Sequence, residues 1–221
     1  MAAGTPRTWA VQILGLVAGY ADAAAYVGLG HIFAANMTGN TVLLGIGLAA
    51  WASGRRLLPN APLLPVLSLA AFAAGALGTA LVLRAVRWRS GYRLGLALEA
   101  GLIAAVAAGW TAAGERPGLY AEAALLAVLS AGMGAQSTLA HRVGVPGVST
   151  TVVTSSMVTA LVRVASGGRP AVPALAWAVY LIGAAAGALG TEVLGAAVLW
   201  PLPLVLALLA ASSSETDRVP A

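Results

Sequence analysis

The chain has 221 residues, of which 60% are hydrophobic and 9% charged, and its mean hydropathy is +0.89. Soluble domains carry about 25% charged residues, so the composition excludes a soluble domain and points to an all-α, polytopic helical membrane protein. The formal net charge is +5, and the 12 basic residues are all arginine. They stand between apolar blocks rather than on one basic face with interleaved aromatics, which makes them topology signals and argues against a nucleic-acid partner. With no cysteine, disulfides and thiolate metal sites are excluded.

Apolar blocks fall at about 9–29, 37–53, 64–84, 93–113, 119–140, 146–162, 172–192 and 195–211. In the first, Arg7, an apolar run and Ala21-Asp22-Ala23 imitate a cleavable signal. The run continues to Gly30, long enough to cross about 30 Å of hydrocarbon, and it is read as a span. The second block opens on Asn36-Met37-Thr38-Gly39-Asn40-Thr41, a polar cluster between apolar neighbours. Asn36 or Thr38 can cap a helix beginning near Gly39, and Asn36 and Asn40, four apart, share a face once helical. The free N–H groups at such a start suit an anion, a carboxylate or a polarised water. Irregular backbone at membrane depth survives only where protein buries it or it lines a watery cavity. The sixth block begins with a corresponding hydroxyl cluster from Ser149 through Thr151 and Thr154 to Ser156. The polar tail 212–221 is expected to be disordered. The rest, 1–211, reads as one membrane domain.

The two halves, about 9–113 and 119–211, look alike. Ala73-Ala74-Gly75-Ala76-Leu77-Gly78-Thr79 recurs as Ala185-Ala186-Gly187-Ala188-Leu189-Gly190-Thr191, Pro62-x-x-Pro65 is echoed by Pro170-x-x-Pro173, and Asp22 falls near Gln136. Cytoplasmic loops carry the arginine excess. If all eight blocks cross, the arginines split almost evenly. If the second and sixth enter and leave on one side, Arg7, Arg84, Arg87, Arg89, Arg93, Arg142, Arg163, Arg169 and Arg218 share a side, against Arg55, Arg56 and Arg116. The sequence therefore predicts six full spans plus two partial or broken helices, with the halves inverted relative to each other, a plan found in transporters.

Carboxylates inside spans cost roughly 2.5–3.5 kcal/mol on insertion scales and mark a pathway or a pair. Asp22 and Glu99 lie within blocks; Glu122 and Glu192 lie nearer block ends, as do His31, His141 and Arg142. The pairs Gly15-x-x-x-Gly19 and Gly183-x-x-x-Gly187 allow close helix crossing. Trp9, Trp51, Trp88, Tyr92 and Trp200 sit at block ends as an interfacial belt. No catalytic, phosphate-cradling or dinucleotide motif occurs, so an enzyme, a cofactor and a metal are not expected.

Gly19-Tyr20-Ala21-Asp22-Ala23, then Phe33, then Met37-Thr38-Gly39-Asn40-Thr41, resembles the signature of the YoaK-like family of bacterial membrane proteins, and Thr150-Thr151-x-x-Thr154 is similar to its second half. Ser155 departs from the glycine expected there if the second half kept the Thr-Gly pair. The resemblance implies an integral membrane protein of about six spans, with transport suspected. The expectation is a small-solute transporter or channel of the bacterial inner membrane. Asp22, Asn36, Thr38, Gly39, Asn40, Thr41, Glu99, Gln136, Thr151 and Thr154 would line its pathway, with Glu99 coupling to protons. Its partners would be the lipid bilayer and a small solute of unknown identity, with self-association left open. The rival expectation is a non-transporting partner or assembly protein whose polar residues only pack helices.

Overall fold

A computed structural model of the chain describes residues 6–54, 62–86, 88–145 and 153–212, and among these it is all helical. The helices are α1 (Pro6–Gly28), α2 (Met37–Ala52), α3 (Leu63–Ala85), α4 (Trp88–Ala113), α5 (Leu119–Val143), α6 (Val153–Ala165), α7 (Ala171–Leu194) and α8 (Pro201–Ser212), with a short 3-10 turn at Gly195–Ala197 before α8. Five stretches, Thr8–Gly28, Leu63–Ala85, Ser90–Ala113, Leu119–Val143 and Ala171–Ala197, are long and apolar enough to cross a membrane. α2, α6 and α8 are shorter apolar helices. Gly195 takes a positive φ of 52° and ends α7, and the last apolar block forms a short turn and α8 rather than one long helix. The chain then turns through Gly195–Ala197 and restarts at Pro201, whose fixed φ suits a first helical turn. Pro65 and Pro173 likewise sit in the first turns of α3 and α7, where a missing N–H costs no helix bond.

Two helix pairs form the centre. α1 packs along α7 and α3 along α5, while α4 lies against α5 and α8, α2 against α3, and α6 against α7. Glycines set both central crossings. A Cβ on Gly183 would run into the Leu16 carbonyl, one on Gly187 into that of Tyr20, and one on Gly19 into that of Tyr180. Residue numbers rise together along these contacts, so α1 and α7 are parallel. In the second pair a Cβ on Gly75 would strike the Ala131 carbonyl and one on Gly134 that of Phe72. Ser68 meets Ser130 and Thr138 donates to the Ala76 carbonyl, so α3 and α5 are parallel too. Lipid offers no hydrophobic gain between helices, and backbone-to-backbone approach of this kind supplies packing instead.

The interior joins Leu14, Val17, Ala21, Leu29, Leu64, Leu96, Ile103, Trp110, Leu126, Leu129, Met133 and Leu139 with Leu202 and Leu206 of α8. The outer faces of α2, α3, α6 and α7 expose Val42, Leu48, Leu77, Leu81, Leu161, Val162, Ile182 and Leu189, as a lipid-facing surface requires.

Candidate functional site

The chain turns back on itself after α1. Gly30 (φ 72°) and then His31 (φ 59°) adopt left-handed conformations, and the segment 32–36 descends beside α1 instead of leaving the bundle. Asp22, only 2% exposed, receives it: one carboxylate oxygen accepts the N–H of Ala35 at 2.6 Å and of Asn36 at 3.1 Å. The other accepts the Tyr180 hydroxyl of α7. Asp22 lies six residues inside the end of α1, about 9 Å at 1.5 Å per residue. α2 therefore starts below the end of α1, within the bundle.

Asn36 caps α2, its side-chain oxygen accepting the Gly39 N–H at 3.0 Å. The helix begins at Met37, two residues earlier than the spacing predicts. Asn40 is fully buried and reaches back to the loop. Its oxygen accepts the Phe33 N–H at 3.0 Å, and its amide donates to the Phe33 carbonyl at 2.7 Å and to Ser68 of α3 at 2.9 Å. Ser68 also donates to the Phe33 carbonyl, and it shares a 2.8 Å hydrogen bond with Ser130 of α5. Phe33 itself stacks on Tyr26, and a Cβ on Gly39 would overlap the Phe33 ring, so glycine there admits the loop. The result is a polar knot joining α1, the 29–36 loop, α2, α3, α5 and α7.

The structure thus brings Asp22, Asn36, Gly39 and Asn40 together, with their hydrogen bonds directed at the loop. Thr38 and Thr41 are exposed on the first turn of α2, Thr41 bonding the Met37 carbonyl of its own helix. Thr154 is exposed on α6, whereas Thr151, Ser149 and Thr150 lie outside the described residues, as does the tail beyond Ser212. Gln136 does not meet Asp22. Its side chain donates to the Leu14 carbonyl at 2.9 Å, two turns from Asp22 along α1. Glu99 is fully buried on α4, and neither of its oxygens has a hydrogen-bond partner among the described residues. Glu192 is exposed and Glu122 half-buried, near Gly30. Ser68, Ser130 and Tyr180 are the members that the sequence reading missed. Their signal was a hydroxyl in the middle of an apolar span, where a side chain needs a partner.

At the same end of the bundle, where Gly28 meets Trp110 and Thr191, Glu115 accepts the Ala196 N–H at 3.4 Å, and the Thr111 hydroxyl, bonded at 2.7 Å to the Ala107 carbonyl of its own helix, lies 3.3 Å from the Ala196 carbonyl, so the turn before α8 sits against the end of α4. Gln12 on α1 donates to the Val172 carbonyl of α7 at 3.1 Å. Among the described residues no group of three or more His, Cys, Asp and Glu could hold a metal ion.

Long apolar helices, lipid-facing outer surfaces and polar side chains turned inward define a multi-pass helical membrane protein in contact with the bilayer. A family model, described as a protein of unknown function (DUF1275), matches residues 11–212, and the chain belongs to that family. It is similar to the UPF0700 transmembrane protein YoaK of Bacillus subtilis, with 30% identity over 164 residues, 73% of this chain and 68% of that protein. No solved structure matches it.

Proposed function

We propose that the chain is a small-solute transporter of the bacterial cytoplasmic membrane, built from two inverted halves. The observation that carries this reading is the 29–36 loop, irregular backbone held within the bundle ahead of a short helix by Asp22, Asn40 and Ser68. Broken helices of this kind form substrate sites in secondary transporters, where helix starts and free backbone groups meet the solute. The first turn of α2, with Thr38 and Thr41 exposed beside the Asn36 cap, is the surface such a solute would touch.

The inverted arrangement rests on the paired contacts. α1 ends where α3 begins, with Leu64 against Gly30, so α2 makes no net crossing. Since α1 runs parallel to α7 and α3 to α5, the first and second helices of each half exchange partners across the centre. Gly19 on Tyr180 and Ala184 corresponds to Gly134 on Phe72 and Ala76, and Gly183 on Leu16 to Gly75 on Ala131. In this register Phe72 takes the place of Tyr180, and Ser137 that of Asp22. The letter-for-letter repeat of Ala73–Thr79 in Ala185–Thr191 is displaced by one helical turn from it.

One observation favours a second reading. Both oxygens of Asp22, and the oxygen and both amide N–H groups of Asn40, are already engaged by the loop, Ser68 and Tyr180, as they would be in a membrane partner or assembly protein whose polar groups only join helices. A thermal-shift screen of the purified protein against metabolites across pH separates the two, because a ligand of the folded state raises apparent stability by about 2.7 kcal/mol at a hundredfold excess over Kd. A transporter gives at least one stabilising solute, and Thr38→Val weakens that shift without lowering the melting temperature of the free protein. No stabilising solute, together with proteoliposomes no leakier to metabolites than empty ones, supports the second reading.

A further inference from the structure

Three contacts fix how α4 faces α5. A Cβ on Gly95 would meet Leu139, Leu102 lies against Gly132, and a Cβ on Gly109 would meet Leu125. Each step of two turns up α4 is matched by two turns back along α5, so the helices are antiparallel and in constant register. Glu99 lies on the α4 stripe between Gly95 and Leu102, and Gln136 lies on the α5 stripe between Gly132 and Leu139. Positions three and four apart share a helix face, so Glu99 stands opposite Ala135 and Gln136 in the middle of the interface. Both side chains are fully buried.

Their hydrogen-bonding is incomplete in a complementary way. Gln136 spends one amide N–H on the Leu14 carbonyl and gives the other to neither oxygen of Glu99; its own side-chain oxygen and both Glu99 oxygens are without a partner. Two buried groups thus face each other with unpaired acceptors, and each is costly to leave unsatisfied. Other charged groups lie away from this level. α8 and the Gly195–Ala197 turn carry none, Arg84 of α3 is exposed, and on α5 Glu122 is near the start while His141 and Arg142 are exposed near the end. On α4 itself, Tyr92 and Arg93 lie toward its start and Glu115 beyond its end. A single proton on Glu99 removes the buried charge and supplies a donor to the unpaired Gln136 oxygen, forming an O–H···O hydrogen bond. Three side-chain oxygens fall short of the six to eight ligands that calcium takes.

We propose that Glu99 and Gln136 form a buried proton-binding site between α4 and α5, in which the protonated Glu99 carboxyl donates to the Gln136 side-chain oxygen. As a proton site it rests on this geometry alone; as the coupling site of a carrier it rests on the transport reading as well.

The test is infrared spectroscopy of the full-length protein in lipid nanodiscs, with glutamate carboxyl carbons labelled with carbon-13, from neutral to alkaline pH. The expected result is a protonated-carboxyl band at neutral pH that moves with the glutamate label and is absent from Glu99→Gln. In Gln136→Leu the band shifts to the frequency of a carboxyl without a hydrogen bond, and replacing sodium by choline leaves it unchanged. Absence of the band in the folded wild type overturns the proposal, and so does its survival in Glu99→Gln. A band that grows only when sodium is withdrawn makes this an alkali-cation site instead and equally overturns it. An unchanged frequency in Gln136→Leu removes Gln136 from the site. Size exclusion and melting curves of each variant establish that it is folded. No solute enters the measurement, so failure of the transport reading would leave the band in place.

Discussion

Asn40 holds the bend after α1 by both backbone groups of Phe33 and reaches α3 through Ser68. Asn40→Ala strands the Phe33 N–H in the bundle, while the Phe33 carbonyl keeps Ser68. A buried polar group left unsatisfied costs about 1–3 kcal/mol, so chemical denaturation in detergent, followed by tryptophan fluorescence, should show a loss of that order. Ser68→Ala leaves Asn40 bonding both groups of Phe33 but takes its partner from the buried Ser130 hydroxyl, so its cost should fall in the same range of about 1–3 kcal/mol. Asp22→Asn can keep the Ala35 and Asn36 N–H groups on its side-chain oxygen while its NH2 donates to the Tyr180 hydroxyl, which can also accept. It loses the charge on the shared acceptor, and charge-assisted bonds are roughly twice as strong as neutral ones, so its melting temperature in detergent should fall. At this scale the sequence was legible in part. It picked out Asp22, Asn36 and Asn40 because polar atoms inside apolar runs need a reason. It could not tell a wet lining from a knot, since that depends on where the 29–36 backbone goes. Only the fold brings Phe33 within reach of Asn40, seven residues later in the chain.

Helix crossings depend on which glycine of a small-residue run meets backbone, and the run Ala73–Thr79 contains both kinds. A Cβ on Gly75 would strike the Ala131 carbonyl, while around Gly78 there is nothing within 4 Å. Gly75→Ala should therefore force α3 away from α5 and cost about 1–3 kcal/mol, the usual scale of overpacking. Gly78→Ala should be neutral or stabilise by about 0.4–1 kcal/mol, because alanine restricts the unfolded chain. Melting temperatures of the two variants, measured side by side, check this. Most of the elements were legible because long apolar runs bounded by arginine, proline and glycine have only one stable form in lipid. The exception is the last block, which composition presents as one run. Its first residues, Gly195–Ala197, form a 3-10 turn and α8 starts only at Pro201, with Ala196 tied to Thr111 of α4 and to Glu115 just beyond that helix. That contact spans most of the second half of the chain, and no local pattern announces it.

For the whole molecule, the proposed inversion of the halves reduces to which exposed positions share a side of the membrane. The chain has no cysteine, so single-cysteine variants give an unambiguous answer with a membrane-impermeant thiol reagent. Ser53 follows α2, Arg116 follows α4, Arg142 closes α5 and Ser166 follows α6, and all four are exposed. If α2 and α6 make no net crossing, Ser53→Cys and Arg116→Cys are labelled from one side and Arg142→Cys and Ser166→Cys from the other. If every helix crosses, Ser53, Arg116 and Ser166 fall together and Arg142 stands alone. The arginine distribution makes the first outcome the expected one in intact cells, with Ser53→Cys and Arg116→Cys reacting from outside and the other two only after permeabilisation. It also fixes the direction of the polar features. The 29–36 loop then descends from the external face, while Glu99 and Gln136, level with Leu14 in the half of α1 nearer its start, lie toward the cytoplasmic face. With the start of α1 cytoplasmic, Ser53→Cys and Arg116→Cys reacting only after permeabilisation would show that α2 crosses, and the two halves would then be parallel rather than inverted.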